Sequence, residues 1–267
     1  QAYTPPNPAG TNRANYIFAR QASTSDSIIA RVALGYTFTV TKPAEYGDWL
    51  YDADAQTLTR LSDNLTLKNV TASGTSLTIG KQYISQSTAL DLTGAVTDAD
   101  GTPYTITALG VEAFWDSYLT AITLPDGLES IGSYAFRDCT SLTAIEIPSS
   151  ITSIGTSAFN GCTSLAAVTL PEGLQSIGVA AFRNCSALTS IDIPASVTSI
   201  GKSTFDGCTS LAAATLPEGL QSIGEYAFQN CSALTSIKIP GTVKTVGMCS
   251  FQDCSGLASL ELAEGGQ

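Results

Sequence analysis

The hydrophobic positions in the C-terminal two thirds of the chain recur every 23 residues, a much longer period than that of a helix or a strand. Within one unit, Leu165, Val168 and Leu170 are separated by small or polar residues, which predicts a short strand. Leu174 and Ile177 follow at a spacing of three, which fits a chain that turns corners better than a long helix. The pattern therefore predicts a coil of short elements joined by turns.

Four kinds of residue hold fixed places in this unit, and each forms a row along the chain. The phenylalanine row comprises Phe114, Phe136, Phe159, Phe182, Phe205, Phe228 and Phe251. The cysteine row comprises Cys139, Cys162, Cys185, Cys208, Cys231 and Cys254. The proline row comprises Pro125, Pro148, Pro171, Pro194, Pro217 and Pro240. The glycine row comprises Gly132, Gly155, Gly178, Gly201, Gly224 and Gly247.

Residues 163–194 and 209–240 are nearly identical, which indicates that two adjacent units were duplicated together. One coil cannot bury its own apolar faces, whereas stacked coils bury them all. The repeat therefore predicts a β-rich solenoid of about seven 23-residue coils, roughly 34 Å long at ~4.8 Å per coil. We expect Gly178 to adopt a positive φ in a sharp turn.

The recurring sequence L-x-x-I-x-(I/L)-P-x-x-(L/V)-x-x-I-G-x-x-(A/T/S)-F-x-x-C resembles leucine-rich repeats. It is most similar to the 23-residue class of BspA-like bacterial surface proteins, and the resemblance covers about residues 90–262. Residues 98–114 also resemble the opening repeat of such proteins. The resemblance implies an arc with short parallel strands on its concave side, and a role in adhesion at the bacterial surface.

The N-terminal third has a different composition from the repeats. Residues 1–26 are rich in Pro, Asn, Ser, Thr and Gly, which is typical of a flexible leader or linker. Residues 27–90 contain Thr-rich, partly alternating segments that predict short strands joined by polar turns. This β-rich region is interpreted as a cap on the first coil, or alternatively as a small separate domain, ahead of a solenoid at 91–267.

Tyr46, Trp49 and Tyr51 form an aromatic cluster within this N-terminal region. Such clusters belong to a core more often than to a surface, and a core position is the favoured interpretation. The alternative is a site where the rings stack on a sugar.

Charge and hydropathy exclude several classes of partner. Residues 1–90 hold seven Lys or Arg and six Asp or Glu, whereas residues 91–267 hold five and seventeen. An acidic surface repels phosphate, so neither nucleic acid nor anionic lipid is expected as a partner. No apolar stretch approaches the ~20 residues of a membrane helix. With charged residues at only 13%, the chain is expected to be secreted or at the cell surface after removal of a signal peptide.

The sequence gives little support for catalysis. The chain contains no His, which removes the ordinary Ser-His-Asp and Cys-His arrangements and the commonest zinc ligand. Asp52 with Asp54, and Asp98 with Asp100, provide too few ligands for a calcium loop and are predicted to form turns. We therefore expect no catalytic residue, no metal and no cofactor.

The cysteine row is predicted to be a ladder of buried thiols. Residues stacked in register point the same way, which is an awkward approach for a disulfide, and a buried Cys behaves as a small hydrophobe. Cys249 stands apart, in the place that Tyr134 and Tyr226 hold in their own units. We expect a free thiol there, with pairing to Cys254 as the alternative.

Ligands of solenoids usually meet the outward side chains of the strands. The expected binding face comprises Thr123, Glu146, Thr169, Asp192, Thr215, Lys238 and Glu261. The outward row before it is small and comprises Ala121, Ala144, Ala167, Ser190, Ala213, Ser236 and Ser259. This strip is shallow, hydrophilic and mildly acidic, and a merely solvated face is the alternative.

Three functions are compatible with the sequence. The first is a non-catalytic adhesion or recognition module that binds a host matrix protein, or another surface protein or glycan, through this face. The second is a structural spacer of the bacterial envelope. The third is glycan binding by residues 27–90, with Trp49 at its centre.

Overall fold

The computed structural model describes residues 48–86 and 88–263 in full, together with the backbone of three earlier strands. These strands, β1 (Ile17–Ala19), β2 (Ser27–Arg31) and β3 (Thr37–Thr41), form an antiparallel sheet in that order. Residues 1–16 and 20–26 of the expected leader lie outside the described residues, as does Tyr46.

The next strands form two antiparallel units ahead of the repeats. β4 (Trp49–Asp52), β5 (Thr57–Arg60) and β6 (Thr66–Leu67) pair in that order, while β7 (Val70–Ser73) and β8 (Ser76–Ile79) form a hairpin. The alternating Thr-rich segments thus form short strands joined by turns, as predicted. Their inward side chains belong to the same hydrophobic core as the phenylalanine row.

β10 (Val96–Thr97) and β11 (Pro103–Leu109) connect this region to the repeats. β10 pairs parallel with β4 and antiparallel with the first half of β11. From Thr105 onward β11 pairs in parallel with β8, with a bulge between Ile106 and Ala108, and its last two residues also pair in parallel with a strand of the repeats. β9 (Thr88–Asp91) also pairs in parallel with a strand of the repeats. The strand rows of the solenoid therefore begin ahead of the boundary at residue 91.

The strands of the repeats form two rows on two sides of the coil. The first row continues from β9 with β12 (Leu119–Thr123), β14 (Ala144–Glu146), β16 (Ala167–Thr169), β18 (Ser190–Asp192), β20 (Ala213–Thr215), β22 (Ser236–Ile239) and β24 (Ser259–Leu262). The second row continues from β11 with β13 (Ser130–Ile131), β15 (Ser153–Ile154), β17 (Ser176–Ile177), β19 (Ser199–Ile200), β21 (Ser222–Ile223) and β23 (Thr245–Val246). The paired strands within each row are parallel, which confirms the predicted solenoid.

The third side of each coil consists of turns around the phenylalanine row. The backbone N–H of Phe136 donates to the carbonyl of Ala158 in the next coil at 2.7 Å, and the same bond recurs at 2.6–2.9 Å from Phe114 to Phe228. The rings stack with centroids 5.2–5.7 Å apart and planes within 18° of parallel. Six fully buried rings thus form a continuous aromatic column, which a seventh, partly buried ring extends.

The cysteine row lies beside this column and takes part in its hydrogen bonding. The thiol of Cys162 donates to the carbonyl of Phe136 at 3.0 Å, and that oxygen also accepts the backbone N–H of Cys139 at 3.1 Å. The thiol bond recurs along the row at 2.9–3.2 Å. The predicted ladder is confirmed, with five thiols buried and Cys254 partly buried, but these cysteines are hydrogen-bond donors as well as small apolar groups.

The structural reason for glycine in the glycine row differs from the predicted reason. The expectation of a positive φ at Gly178 is wrong, because the left-handed residue of that turn is Ala180, with a φ of 55°. A Cβ atom on Gly178 would instead lie 2.6 Å from the backbone of Gly155 and Thr156 in the preceding coil. Glycine is required because two backbones approach too closely for a side chain.

Gly201 is an exception in this row. A Cβ atom there would find its nearest neighbour, the hydroxyl of Thr204, at 3.3 Å. Thr204 is fully buried where the neighbouring coils have Ala181 and Ala227, and its hydroxyl donates to the carbonyl of Gly201 at 2.9 Å. The second strand row is interrupted at this point, between β17 and β19. The wider contact between these two coils thus occurs in the coil where Thr204 stands in place of alanine.

The Gly178→Ala variant is expected to lower the free energy of unfolding by about 1–3 kcal/mol, because the new methyl group overlaps the backbone of the previous coil. Gly173→Ala is the matched control, since a Cβ there lies 3.6 Å from its nearest neighbour, the carbonyl oxygen of Ser149. We expect it to change stability by less than about 0.5 kcal/mol. Urea unfolding followed by circular dichroism measures both. Equal effects of the two substitutions would contradict the proposed reason for the glycine row.

The buried thiols are expected to resist alkylation. Burial raises the pKa of the Cys139 and Cys208 thiols to about 12, so the reactive thiolate is scarce at neutral pH. In native protein, iodoacetamide should modify the partly exposed Cys249, and should modify Cys254 more slowly because burial also raises the pKa of that thiol. It should modify all seven cysteines only after unfolding. Mass spectrometry of the alkylated protein identifies the sites. Rapid native modification of Cys185 would contradict the assignment.

The same pKa shifts predict a loss of stability at alkaline pH. A thiol whose folded pKa of about 12 exceeds its ordinary value of 9.0 retains its proton in the fold and releases it on unfolding. The contribution of this thiol to the free energy of unfolding is therefore fully present below pH 9.0, and it is lost as the pH rises toward about 12. Cys208→Ala should reduce the slope of unfolding free energy against pH in that window by up to ~1.4 kcal/mol per pH unit. An unchanged slope in urea titrations would contradict this.

Candidate functional site

The outward side chains of the first strand row are exposed, as the alternation of apolar and polar residues along the strands predicts. All seven of the expected residues are exposed: Thr123, Glu146, Thr169, Asp192, Thr215, Lys238 and Glu261. Register places Glu146 beside Thr169, Asp192 beside Thr215, and Lys238 beside Glu261 on paired strands. We call this row of seven residues, with the small outward row beside it, the strand face.

The structure adds one residue that the sequence analysis missed. Asp91 on β9 pairs in register with Thr123, and Ala89 pairs with Ala121, so both outward rows extend one strand further. The signal was present in the sequence, because Ala-Leu-Asp at 89–91 has the same small–apolar–polar order as Ala-Ile-Thr at 121–123. It was overlooked because this strand precedes the first complete repeat.

The small outward row leaves the backbone of the strands accessible. Its residues are exposed at every position: Ala121, Ala144, Ala167, Ser190, Ala213, Ser236 and Ser259. Between the two outward rows, isoleucines such as Ile145 and Ile191 point into the core and are at most 4% exposed. A partner could therefore approach close to the sheet between rigidly spaced polar side chains.

The electrostatic character of the strand face is acidic. Asp91, Glu146, Asp192 and Glu261 carry negative charge, whereas Lys238 is the cation of the row. Lys238 lies 3.5 Å from Glu218, but both side chains are largely exposed, so this ion pair contributes little to stability. A hydrogen bond from the Thr93 hydroxyl, supported by the Thr93 backbone N–H, lowers the pKa of Asp91 and keeps it ionised. The face favours a partner with hydrogen-bond donors or positive charge.

The two acidic clusters form turns, as predicted. Asp98 accepts hydrogen bonds from the backbone N–H groups of Asp100 at 2.9 Å and Thr102 at 2.8 Å, and Asp52 accepts two bonds of the same kind. Across residues 48–86 and 88–263, no group of three or more His, Cys, Asp or Glu side chains converges as metal ligands.

The aromatic cluster around Trp49 belongs to the core. Trp49 is 1% exposed and Tyr51 is 4% exposed, and the guanidinium of Arg60 lies 5.6 Å from the centre of the Trp49 ring. The core interpretation is confirmed for Trp49 and Tyr51, while Tyr46 lies outside the described residues. A sugar cannot stack on a ring with so little accessible surface, which removes Trp49 as the centre of a glycan site.

The repeat region matches a known family of proteins. The family model described as BspA type leucine rich repeat region matches six copies, over residues 101–205 and 175–266. No curated protein sequence gives a significant match. Within the described part of the chain, no helix is both long enough and apolar enough to cross a lipid bilayer.

Solved bacterial structures share the fold. A leucine-rich repeat protein from Bacteroides ovatus is 32% identical with a TM-score of 0.68, and the match covers 73% of this chain and 51% of that one. A leucine rich cell surface protein from Faecalibacterium prausnitzii is 28% identical with a TM-score of 0.65, covering 74% and 55%. A leucine rich repeat protein from T. pallidum is 29% identical with a TM-score of 0.51, covering 82% and 81%.

The present chain thus spans about half the length of the two structures with the higher TM-scores. The family model covers more than half of the chain, and the matched residues include every strand from β11 to β24. The chain belongs to the BspA-type leucine-rich repeat family.

Proposed function

We propose that this protein is a non-catalytic recognition module of the bacterial surface that binds a macromolecule through the strand face. The observation that carries the proposal is the register of the outward side chains. Asp91, Glu146, Asp192 and Lys238 are exposed in one row and are separated by threonines, and Glu261 lies directly beside Lys238. A surface of this kind binds through many polar contacts spread over a large area.

The location of the protein is proposed from its relatives. The similar protein from Faecalibacterium prausnitzii is described as a cell surface protein. The low content of charged residues, 13%, and the reliance on Ser, Thr and Gly at the surface suit the same environment. A host matrix protein, or a protein or glycan of another cell, is therefore the class of partner that we propose.

The chemistry of the described side chains supports a binding role over catalysis. The chain contains no His to act as a general base at neutral pH. Burial raises the pKa of the thiols along the cysteine row, which keeps those groups protonated rather than nucleophilic. The acidic clusters that could have held a metal are occupied with hydrogen bonds to their own turns.

A binding screen against arrayed host matrix proteins, mucins and glycans tests the proposal. We expect a saturable interaction with a protein that weakens as salt is added, because exposed charges are screened. The triple variant Glu146→Ala, Asp192→Ala and Lys238→Ala should weaken that interaction at least about tenfold. Surface plasmon resonance measures the affinity of each variant.

The control variant removes the same charges from the other sides of the coil. Glu129→Ala, Glu225→Ala and Lys202→Ala also delete two carboxylates and one ammonium group, and none of these residues belongs to the strand face. We expect this control to retain full affinity. Equal affinity of the two triple variants would refute the strand face as the binding surface, and a screen without any ligand would favour a spacer instead.

A further inference from the structure

A groove with a volume of about 590 Å³ lies at the N-terminal end of the solenoid. Its walls come from residues 65–69 and 81–86, together with Thr88. The charged side chains among the described lining residues are Lys68 and Lys81. Lys81 is ion-paired with Glu112, so Lys68 provides the net positive charge of the groove in a chain of net charge −11. Neither the strand face nor Trp49 forms part of this groove.

An exposed aromatic ring stands on the wall of the groove. Tyr83 is 83% exposed, which is the largest exposed fraction among the large hydrophobic residues that the structure describes. The ammonium group of Lys81 lies 5.5 Å from the centre of the Tyr83 ring. The groove therefore offers a flat apolar surface and a cation within reach of the same small ligand.

The position of this cation is fixed by its neighbours. The Nζ atom of Lys81 lies 2.8 Å from a carboxylate oxygen of Glu112 and 4.0 Å from the centre of the Trp115 ring. An ammonium group has three N–H donors, and only one is directed at Glu112. Lys81 therefore has further N–H donors beyond the one bonded to Glu112, and Lys68 adds an exposed and separate positive charge.

The loop that carries Tyr83 is held by a buried glutamine. Gln82 is 4% exposed; its side-chain oxygen accepts the backbone N–H of Lys68 at 2.8 Å, and its side-chain nitrogen donates to the carbonyl groups of Lys68 and Gly80. The backbone N–H of Gln82 donates to the carbonyl of Ala113 at 2.7 Å. This arrangement joins both walls of the groove before any ligand arrives, which lowers the entropic cost of binding.

We propose that this groove binds an acidic carbohydrate. The apolar face of a sugar ring would stack on Tyr83, and a carboxylate or sulfate group of the sugar would accept hydrogen bonds from Lys81 and Lys68. Gln86 lies on the same walls and provides an amide group for hydroxyls, whereas the side-chain nitrogen of Asn69 donates to the carbonyl of Lys81 at 2.8 Å. The acidic surface of the repeats repels such a ligand elsewhere, so the basic groove is the favourable place for it.

Isothermal calorimetry with three acidic probes tests the proposal: a heparin oligosaccharide, a hyaluronan oligosaccharide and sialyllactose. A neutral cello-oligosaccharide and a polyglutamate peptide are the comparison ligands. We expect one or more acidic sugars to bind and the comparison ligands to bind at least tenfold more weakly. Tyr83→Ala should lower the affinity about tenfold, and Lys68→Ala should reduce its dependence on salt.

Tyr226→Ala is a matched control for the aromatic ring. Lys202 lies 5.5 Å from the Tyr226 ring and 2.9 Å from Glu225, which repeats the arrangement of Lys81, Tyr83 and Glu112 outside the groove. We expect Tyr226→Ala to bind as the unchanged protein does, and both tyrosine variants to keep its circular dichroism spectrum. The triple variant of the strand face should also bind the sugar normally, which separates this site from the proposed adhesion surface.

Four outcomes would overturn the proposal. These are the absence of binding to any of the acidic sugars, equal affinity for the neutral sugar, equal affinity for polyglutamate, and an equal loss of affinity in Tyr83→Ala and Tyr226→Ala. Retention of affinity by Tyr226→Ala together with its loss in Tyr83→Ala assigns the site.

Discussion

The hydrogen bonds between neighbouring coils determine the spacing of everything else in this protein. They run on all three sides of the coil, through two rows of parallel strands and through the turns that carry the phenylalanine rings. Rings 5.2–5.7 Å apart, thiols that reach the carbonyl groups of the preceding coil, and glycines with no room for a Cβ atom all follow from this spacing. The phenylalanine, cysteine and glycine rows of the repeat can each be understood as a condition for close stacking.

The sequence predicts the scaffold well because the same pattern of residues recurs in every repeat. The strands, the buried cysteines and the exposed outward residues all follow from periodicity and from the alternation of side chains along a strand. The function of a single residue type is harder to infer. A glycine at a turn is compatible with a positive φ or with a close backbone contact, and spacing alone does not distinguish the two. At Gly178 the contact is the reason, while Ala180 adopts the left-handed conformation.

The candidate sites differ in how far the sequence can predict them. The strand face follows from a local pattern, and only its first member, Asp91, was missed because it precedes the first complete repeat. The groove beside Tyr83 has no such pattern, because its walls come from the two segments that flank the β7–β8 hairpin and that Gln82 joins to Lys68. The aromatic cluster that the sequence emphasised, around Trp49, is buried, whereas the exposed ring stands alone in the sequence.

The upper surface of each coil is complementary to the lower surface of the next coil, and this complementarity affects how a repeat protein can evolve. Ile237 and Ile239 on β22, which is paired with β24 of the next coil, are only 3% and 5% exposed. A duplicated coil can therefore stack on the coil from which it was copied. Gene duplication can thus lengthen the solenoid without a new kind of interface. In the duplicated pair, Asp192 corresponds to Lys238 in the same apolar setting, so the outward charge has reversed while the core has remained. Duplication of coils extends the scaffold, while substitutions at the outward positions can change the surface that is presented to a partner without changing the core.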